Sequence, residues 1–179
     1  MGIKMKVIFL DFDGVLNSRQ SMSFWHRKRD QEKWENQMYE SWQGTMSEYI
    51  AQEFCPICTS NMELLIEKVP EAKIVVSSTW RLNNTVDDLK KILKPFPTVA
   101  NRIIGVTPRG EYKNGRIMRG EEIKTWLEHH PEVENYVIID DDSDMLPEQL
   151  DNFVHTSNMH GFLYGDMLKA TNILRKDEE

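Results

Sequence analysis

Three stretches of this chain are apolar without interruption, and each breaks off abruptly into acidic or hydroxyl side chains. Lys6-Val7-Ile8-Phe9-Leu10 stops at Asp11, Lys73-Ile74-Val75-Val76 at Ser77-Ser78-Thr79, and Tyr136-Val137-Ile138-Ile139 at Asp140-Asp141-Asp142. A strand that is apolar on both faces belongs between two covering layers, which is the situation of a parallel sheet. Weaker strand patterns lie at 102–106 and 152–156. Between the strands the period changes to helical. Met62, Leu65, Ile66 and Val69 form one stripe behind Ser60 and Glu63, a pair with capping-box spacing, so a capped helix start is expected at Ser60. Val86, Leu89 and Leu93 form a second stripe behind Thr85, with Asp88 in the reciprocal position. Ile123, Trp126, Leu127 and His130 form a third, closed by Pro131, and Met167, Ala170, Thr171 and Leu174 a fourth. Strands alternating with helices predict βαβ units and an α/β fold of three layers, a parallel sheet covered on both faces.

One region breaks this alternation. From 18 to about 54 there is no strand-like run, yet three of the five tryptophans (Trp25, Trp34 and Trp42) fall there. Trp34, Met38 and Trp42 are spaced four apart, which predicts one or two amphipathic helices. The stretch is too long for a plain loop and reads as an insertion packed over something. The 179 residues suffice for one domain with a real core. The net charge of -7 excludes a global basic field of the kind architectural DNA binders use, but not a metal-dependent enzyme acting on phosphate esters. The basic run His26-Arg27-Lys28-Arg29 reads either as a solvated helix face or as a guide for a polyanion.

No apolar run approaches a membrane span, and Val7 to Leu10 is too short for a secretory leader. Lys6 stands where a myristoylation signal needs Ser or Thr. A cytoplasmic location, with no membrane association, is expected. Cys55-Pro56-Ile57-Cys58 has thiol-exchange spacing but lacks the further ligands of a closed zinc site, so the two read as small, partly buried residues before a helix. His129, His130, His155 and His160 show no ligand spacing.

The chemistry gathers at the strand ends, where open α/β sheets bind ligands. Asp11 and Asp13, the hydroxyls of Ser77 and Ser78, and Asp140, Asp141 and Asp144 would meet in one crevice. So many carboxylates together require a cation, and an all-oxygen set favours a hard ion such as Mg²⁺. A carboxylate at a strand tip can attack phosphorus, and a second carboxyl two residues on can trade protons with the leaving oxygen and with water. Phe12 between them can turn into the core, and Gly14 permits a tight turn.

The run Val7-Ile8-Phe9-Leu10-Asp11-Phe12-Asp13-Gly14-Val15-Leu16-Asn17 resembles the first motif of the haloacid dehalogenase (HAD) superfamily in its phosphotransferase form. Val75-Val76-Ser77 resembles the second motif and Ile138-Ile139-Asp140-Asp141 the fourth. Ser77-Ser78-Thr79-Trp80-Arg81, Arg119-Gly120-Glu121-Glu122-Ile123 and Asp140-Asp141-Asp142 are similar to HAD domains associated with RNA-repair proteins. The resemblance implies a Rossmann-like core over nearly the whole chain, with a small helical cap at 18–54. It implies Asp11 as nucleophile and metal ligand, and Asp13 as general acid/base, its backbone carbonyl also on the metal. Asp13 must then be protonated when the leaving group departs. Ser77, or Ser78 should the strand end one residue later, would donate to a phosphoryl oxygen. Asp140 and Asp141 would hold Mg²⁺, with Asp144 the alternative to Asp141. Arg119 is the preferred basic residue of the third motif, ahead of Arg116 and of Lys124, which reads as solvated. Trp80 and Arg81 would line the substrate mouth, Arg81 meeting a second charge and Trp80 stacking a base or packing on the core. The activity implied is Mg²⁺-dependent phosphomonoester hydrolysis through an aspartyl-phosphate, on a nucleotide or a nucleic-acid phosphate end. The alternatives are a non-catalytic module that binds phosphate ends, a phosphotransferase, or a phosphatase of sugar phosphates or phosphoproteins.

Overall fold

The computed structural model describes residues 5–36, 54–110 and 118–176. Among them five strands form one all-parallel sheet: β1 (Met5–Leu10), β2 (Lys73–Val76), β3 (Ile103–Val106), β4 (Val133–Asp140) and β5 (Phe153–His155), in the order β3-β2-β1-β4-β5. The chain builds outward from β1 in one direction, then crosses over to add β4 and β5 on its other side. The crevice at this reversal lies beyond the carboxyl ends of β1 and β4, where ligands bind in such sheets. In register, Leu10 stands beside both Val76 and Ile139, so the residues that follow come out side by side. The ladder continues one step past each tip: Asp11 N–H donates to Ile139 O at 3.1 Å, and Ser77 N–H to Leu10 O at 2.9 Å.

Alternation along the buried strands divides the core into two layers. Ile8, Leu10, Ile74, Val76, Val137 and Ile139 pack with helices α2 (Pro56–Lys68), α3 (Val86–Ile92), α4 (Pro97–Ala100) and α6 (Tyr164–Leu174). Val7, Phe9, Val75 and Ile138 face the other way, onto Ile123 and Trp126 of α5 (Arg119–Glu128). The expected three-layer α/β arrangement is therefore present.

The boundaries differ from the pattern in three places, each for a local reason. α2 begins at Pro56 with Cys55 as its cap, so Ser60 lies inside the helix and caps nothing. A proline lacks an N–H and has a φ suited to the first turn, which lets the helix start one turn earlier. β4 begins at Val133 rather than Tyr136, because its entry alternates half-exposed, exposed and buried residues (Val133, Glu134, Asn135) instead of running apolar. α5 ends at Glu128, and His130 follows its cap, stacked on Trp126 with ring centroids 3.5 Å apart. The Thr85–Asp88 box, by contrast, is formed in both directions.

Within the insertion, helix α1 (Arg19–Asn36) is a single long helix. His26, Arg27 and Lys28 are exposed on it, with the Lys28 ammonium 5.2 Å from the Trp25 ring centre. Met38 and Trp42, and the side chains of Arg29 and Trp34, lie outside the described residues. Both cysteines are free thiols, and Cys58 Sγ donates to His160 O at 3.4 Å. No helix among the described residues is long and apolar enough to cross a membrane.

Candidate active site

The strand tips deliver Asp11 from β1 and Asp140 from β4, with Asp141 following. Each of these three offers a carboxylate oxygen, and the three atoms lie within 4.8 Å of one another. Asp140 is fully buried and Asp11 nearly so. The turn after Asp11 is shaped by Gly14, which sits at φ +71° with the Asp141 carboxylate occupying the space where a Cβ would be. A side chain here would be strained in backbone and would also push Asp141 out of the cluster. Thr156 Oγ1 ties the turn to the sheet by donating to Gly14 O at 2.9 Å.

Burial leaves these acids poorly solvated, and their protonation reflects it. Burial pushes the Asp11 carboxyl up to about 6, against the pull of the Arg119 guanidinium and of hydrogen bonds from the Ser78 hydroxyl and the Phe12 backbone. Asp140 is pushed higher, to about 8, by burial and then by the neighbouring charge of Asp11, with Arg119 again opposing. Asp141 is raised as well, chiefly by burial and then by Asp142. Asp140 Oδ1 accepts from Asp142 N–H at 2.9 Å. Its Oδ2 faces Arg119 Nε at 3.3 Å but accepts no hydrogen bond. A buried carboxylate oxygen without a donor, in a cluster served by one arginine, is the donor chemistry a hard dication satisfies. The residues present therefore fit Mg²⁺.

Arg119 occupies the first position of α5. Its backbone N–H donates to Asp144 Oδ2 at 2.9 Å, and Gly120 N–H to Asp144 O at 3.2 Å. Asp144 thus caps this helix and is not among the clustered carboxylates. Gln149 braces the same turn, its Nε2 donating to Gly120 O at 2.9 Å. Lys124 lies on the surface, 3.8 Å from Glu148, and Arg116 lies outside the described residues.

The two serines divide. Ser78 hydrogen-bonds Asp11 and also accepts from Trp80 N–H at 3.4 Å, whereas the buried Ser77 hydroxyl has no partner. Asp13 is exposed and stands apart from the cluster, its Oδ1 accepting from Asn17 Nδ2 and its Oδ2 from Trp80 Nε1, both at 2.8 Å. Arg81 is buried and largely committed to the protein. Nε donates to Thr107 O at 3.0 Å, Nη1 to Ser78 O at 2.7 Å and Ser77 O at 3.3 Å, and Nη2 pairs with Glu122. A cavity of about 210 Å³ opens beside Arg81 and Arg119, with Thr79, Arg109, Asp142 and Asp144 also on its walls.

Two residues of this constellation lie within the motif runs but carry no assigned role there. Glu122 is buried, pairs with Arg81, and accepts from Gly110 N–H at 2.8 Å. The signal for it is an acid on the inward stripe of α5, shared with Arg119, Ile123 and Trp126. Asn17 closes the turn, its Oδ1 accepting from Gly14 N–H at 3.1 Å while its amide holds Asp13. It ends the first-motif run, and a turn-forming Asn four residues after an acid is the signal for its role.

Comparison with curated proteins and with solved structures gives no significant match. A family model described as the HAD domain in Swiss Army Knife RNA repair proteins matches residues 7–166, from the strand that carries Asp11 to the start of the last helix. The chain belongs to this family of HAD domains.

Proposed function

We propose that this HAD domain, of a superfamily of phosphatase-type hydrolases, hydrolyses phosphomonoesters with Mg²⁺ through a phosphoryl group carried on Asp11. The observation that supports this reading is the pairing of two differently placed acids. Asp11 is buried within a three-carboxylate cluster, and Asp13, two residues on, is exposed and held by separate donors. One environment suits a nucleophile and the other a proton carrier.

In the first step an Asp11 oxygen bonds to phosphorus as the ester oxygen leaves, and Asp13 gives that oxygen its proton. In the second, Asp13 takes a proton from water, the water oxygen bonds to phosphorus, and the Asp11–phosphorus link breaks, releasing phosphate. Each Asp13 oxygen keeps a lone pair beyond the one used by Asn17 or Trp80, which leaves room for the travelling proton. The Ser78 hydroxyl and the Arg119 guanidinium hold phosphoryl oxygens, with Ser77 behind them. Mg²⁺ bound by Asp11, Asp140 and Asp141, with the Asp13 carbonyl as a further ligand, would neutralise charge on the carboxylates and the phosphoryl group. The insertion at 18–54 keeps the proposed role of a cap that selects substrate, with Trp80 and Arg81 toward the mouth.

The substrate we favour is a nucleotide or a nucleic-acid phosphate end, in keeping with the RNA-repair context named by the family. The net charge of -7 favours a short end or mononucleotide over a long duplex. The test is phosphate release from nucleoside monophosphates, phosphate-ended oligonucleotides and sugar phosphates, each with Mg²⁺ and with chelator. Release by the wild type that vanishes with chelator and in Asp11→Asn, with the fold unchanged by circular dichroism, is the expected outcome. Full activity in Asp11→Asn removes the covalent route, and oligonucleotide binding without turnover would make the domain a phosphate-end reader.

A further inference from the structure

Of the two acids that follow β1, Asp11 is buried and Asp13 faces solvent, and solvent-facing carboxylates ordinarily turn freely about their last torsion. This one is pinned at both oxygens. Asn17 Nδ2 holds Oδ1 and the Trp80 indole Nε1 holds Oδ2, each at 2.8 Å. The two donors come from different places, Asn17 from the turn after β1 and Trp80 from the 3₁₀ turn (Thr79–Leu82) after β2.

The indole is itself immobilised. Its ring meets Phe12 edge-on with centroids 5.4 Å apart and lies over Phe54 at 5.7 Å. Phe12 sits between the two site acids in sequence and is fully buried, so the turn that carries Asp13 also supplies a wall against the tryptophan. The backbone of Trp80 is fixed from both ends, its N–H donating to Ser78 Oγ and its carbonyl accepting from Asn84 Nδ2 at 2.8 Å. An indole N–H can only donate, so its one polar contact here is with the carboxylate.

We infer that Trp80 is a positioning residue for Asp13, holding its carboxyl at the angle from which the proton reaches the departing ester oxygen. The inference rests on the proposed phosphatase reading and deepens it. Proton transfer in flight requires heavy atoms within hydrogen-bond reach, and small misplacements there are costly. The function of the indole is thus distinct from stacking on a substrate base. The proton passes from Asp13 to the leaving oxygen as the phosphorus–oxygen bond breaks, and returns to Asp13 from water in the second step. Trp80 keeps its own proton throughout.

Trp80→Phe retains a ring against Phe12 and Phe54 and removes the N–H. The readout is kcat/KM, which stops at transfer to Asp11, compared among p-nitrophenyl phosphate, glycerol phosphate and a nucleoside monophosphate. The phenolate leaves without needing a proton, whereas both alkoxides need one. Loss of aligned proton donation should cost the two alkyl esters at least about tenfold more than the aryl ester. Asp13→Asn should show the same selectivity, and Trp80→Phe in that background should add no further discrimination between leaving groups. An equal loss on all three substrates would mark Trp80 as merely structural and overturn the inference. So would a loss confined to the nucleotide, which would mark it as a base-stacking residue. Wild-type silence on all three with Mg²⁺ present would overturn the phosphatase reading itself. Wild-type turnover with an indifferent Trp80→Phe would overturn this assignment alone.

Discussion

The Arg81–Glu122 pair shows how far a single side chain can organise this site. Arg81 spends its donors on the carbonyls of Ser77, Ser78 and Thr107 and on Glu122, while Glu122 also holds Gly110 N–H. Together they join the loops after β2 and β3 to the first turn of α5, which carries Arg119. Removing one partner of a buried pair strands the other charge away from water, so Glu122→Ala should cost about 3–5 kcal/mol in urea unfolding. Its exposed neighbour Glu121→Ala should stay within about 0.5 kcal/mol. Equal effects would show that the pair carries no such burden. Glu122 also marks the limit of reading by motif. Asp11 and Asp140 are legible because each terminates an unbroken apolar run, whereas Glu122 sits in a motif run without a role, since its burial follows only from Arg81 being brought opposite it by the fold. Ser77 and Ser78 could not be separated beforehand, because which one turns toward Asp11 depends on the twist and exact end of β2. The expected meeting of Arg81 with a second substrate charge is qualified by its partners, since the protein already occupies most of its donors.

Among the helices, two sequence signals of the same kind had opposite fates. Thr85 with Asp88 forms its reciprocal cap, Asp88 Oδ2 accepting from Thr85 N–H at 3.1 Å and Thr85 Oγ1 from Asp88 N–H at 3.2 Å. Ser60 with Glu63 forms none, because Pro56 had already begun the helix. Spacing reports only that a cap is possible; the backbone upstream decides whether an end exists there to be capped. Thr85→Ala should therefore lower stability by about 1 kcal/mol, and the exposed Ser60→Ala by no more than a few tenths, roughly 0.3 kcal/mol. Chemical denaturation of the two variants checks this, and a larger loss at Ser60 would contradict the helix start at Pro56. The three main buried strands were readable from their apolar runs. The entry of β4 was not, because a half-exposed alternation carries its pairing with β1 at Met5.

Taken as a whole, the molecule concentrates negative charge at the place where its chain reverses direction across the sheet. With no divalent ion present, Asp11 at about 6 and Asp140 at about 8 both lie above the ordinary value of 3.8. The folded protein then binds more protons than the unfolded chain over the interval between. Stability from these groups is complete below about pH 4 and is lost as pH rises through 6 to 8. The Tm in chelator should accordingly fall between pH 5 and pH 9. Saturating Mg²⁺ should flatten that fall and add about 2.7 kcal/mol at a hundredfold excess over Kd. A Tm in chelator that climbs with pH would contradict the burial of the cluster. The sheet order has a further consequence, in the time domain of synthesis. β1, β2 and β3 can pair and gather α2 to α4 as soon as they are made, but β1 then presents an open apolar edge until Val133–Asp140 arrives to cover it. An uncovered edge of this kind templates pairing with other chains. The nascent protein is thus most prone to aggregate during the interval in which it holds Asp11 but has not yet completed the three-carboxylate cluster. A chain interrupted anywhere before β4 carries Asp11 with neither Asp140 nor Asp141 beside it. The same strand that closes the edge completes the carboxylate cluster, so the phosphatase activity proposed above would, if present, report a finished sheet.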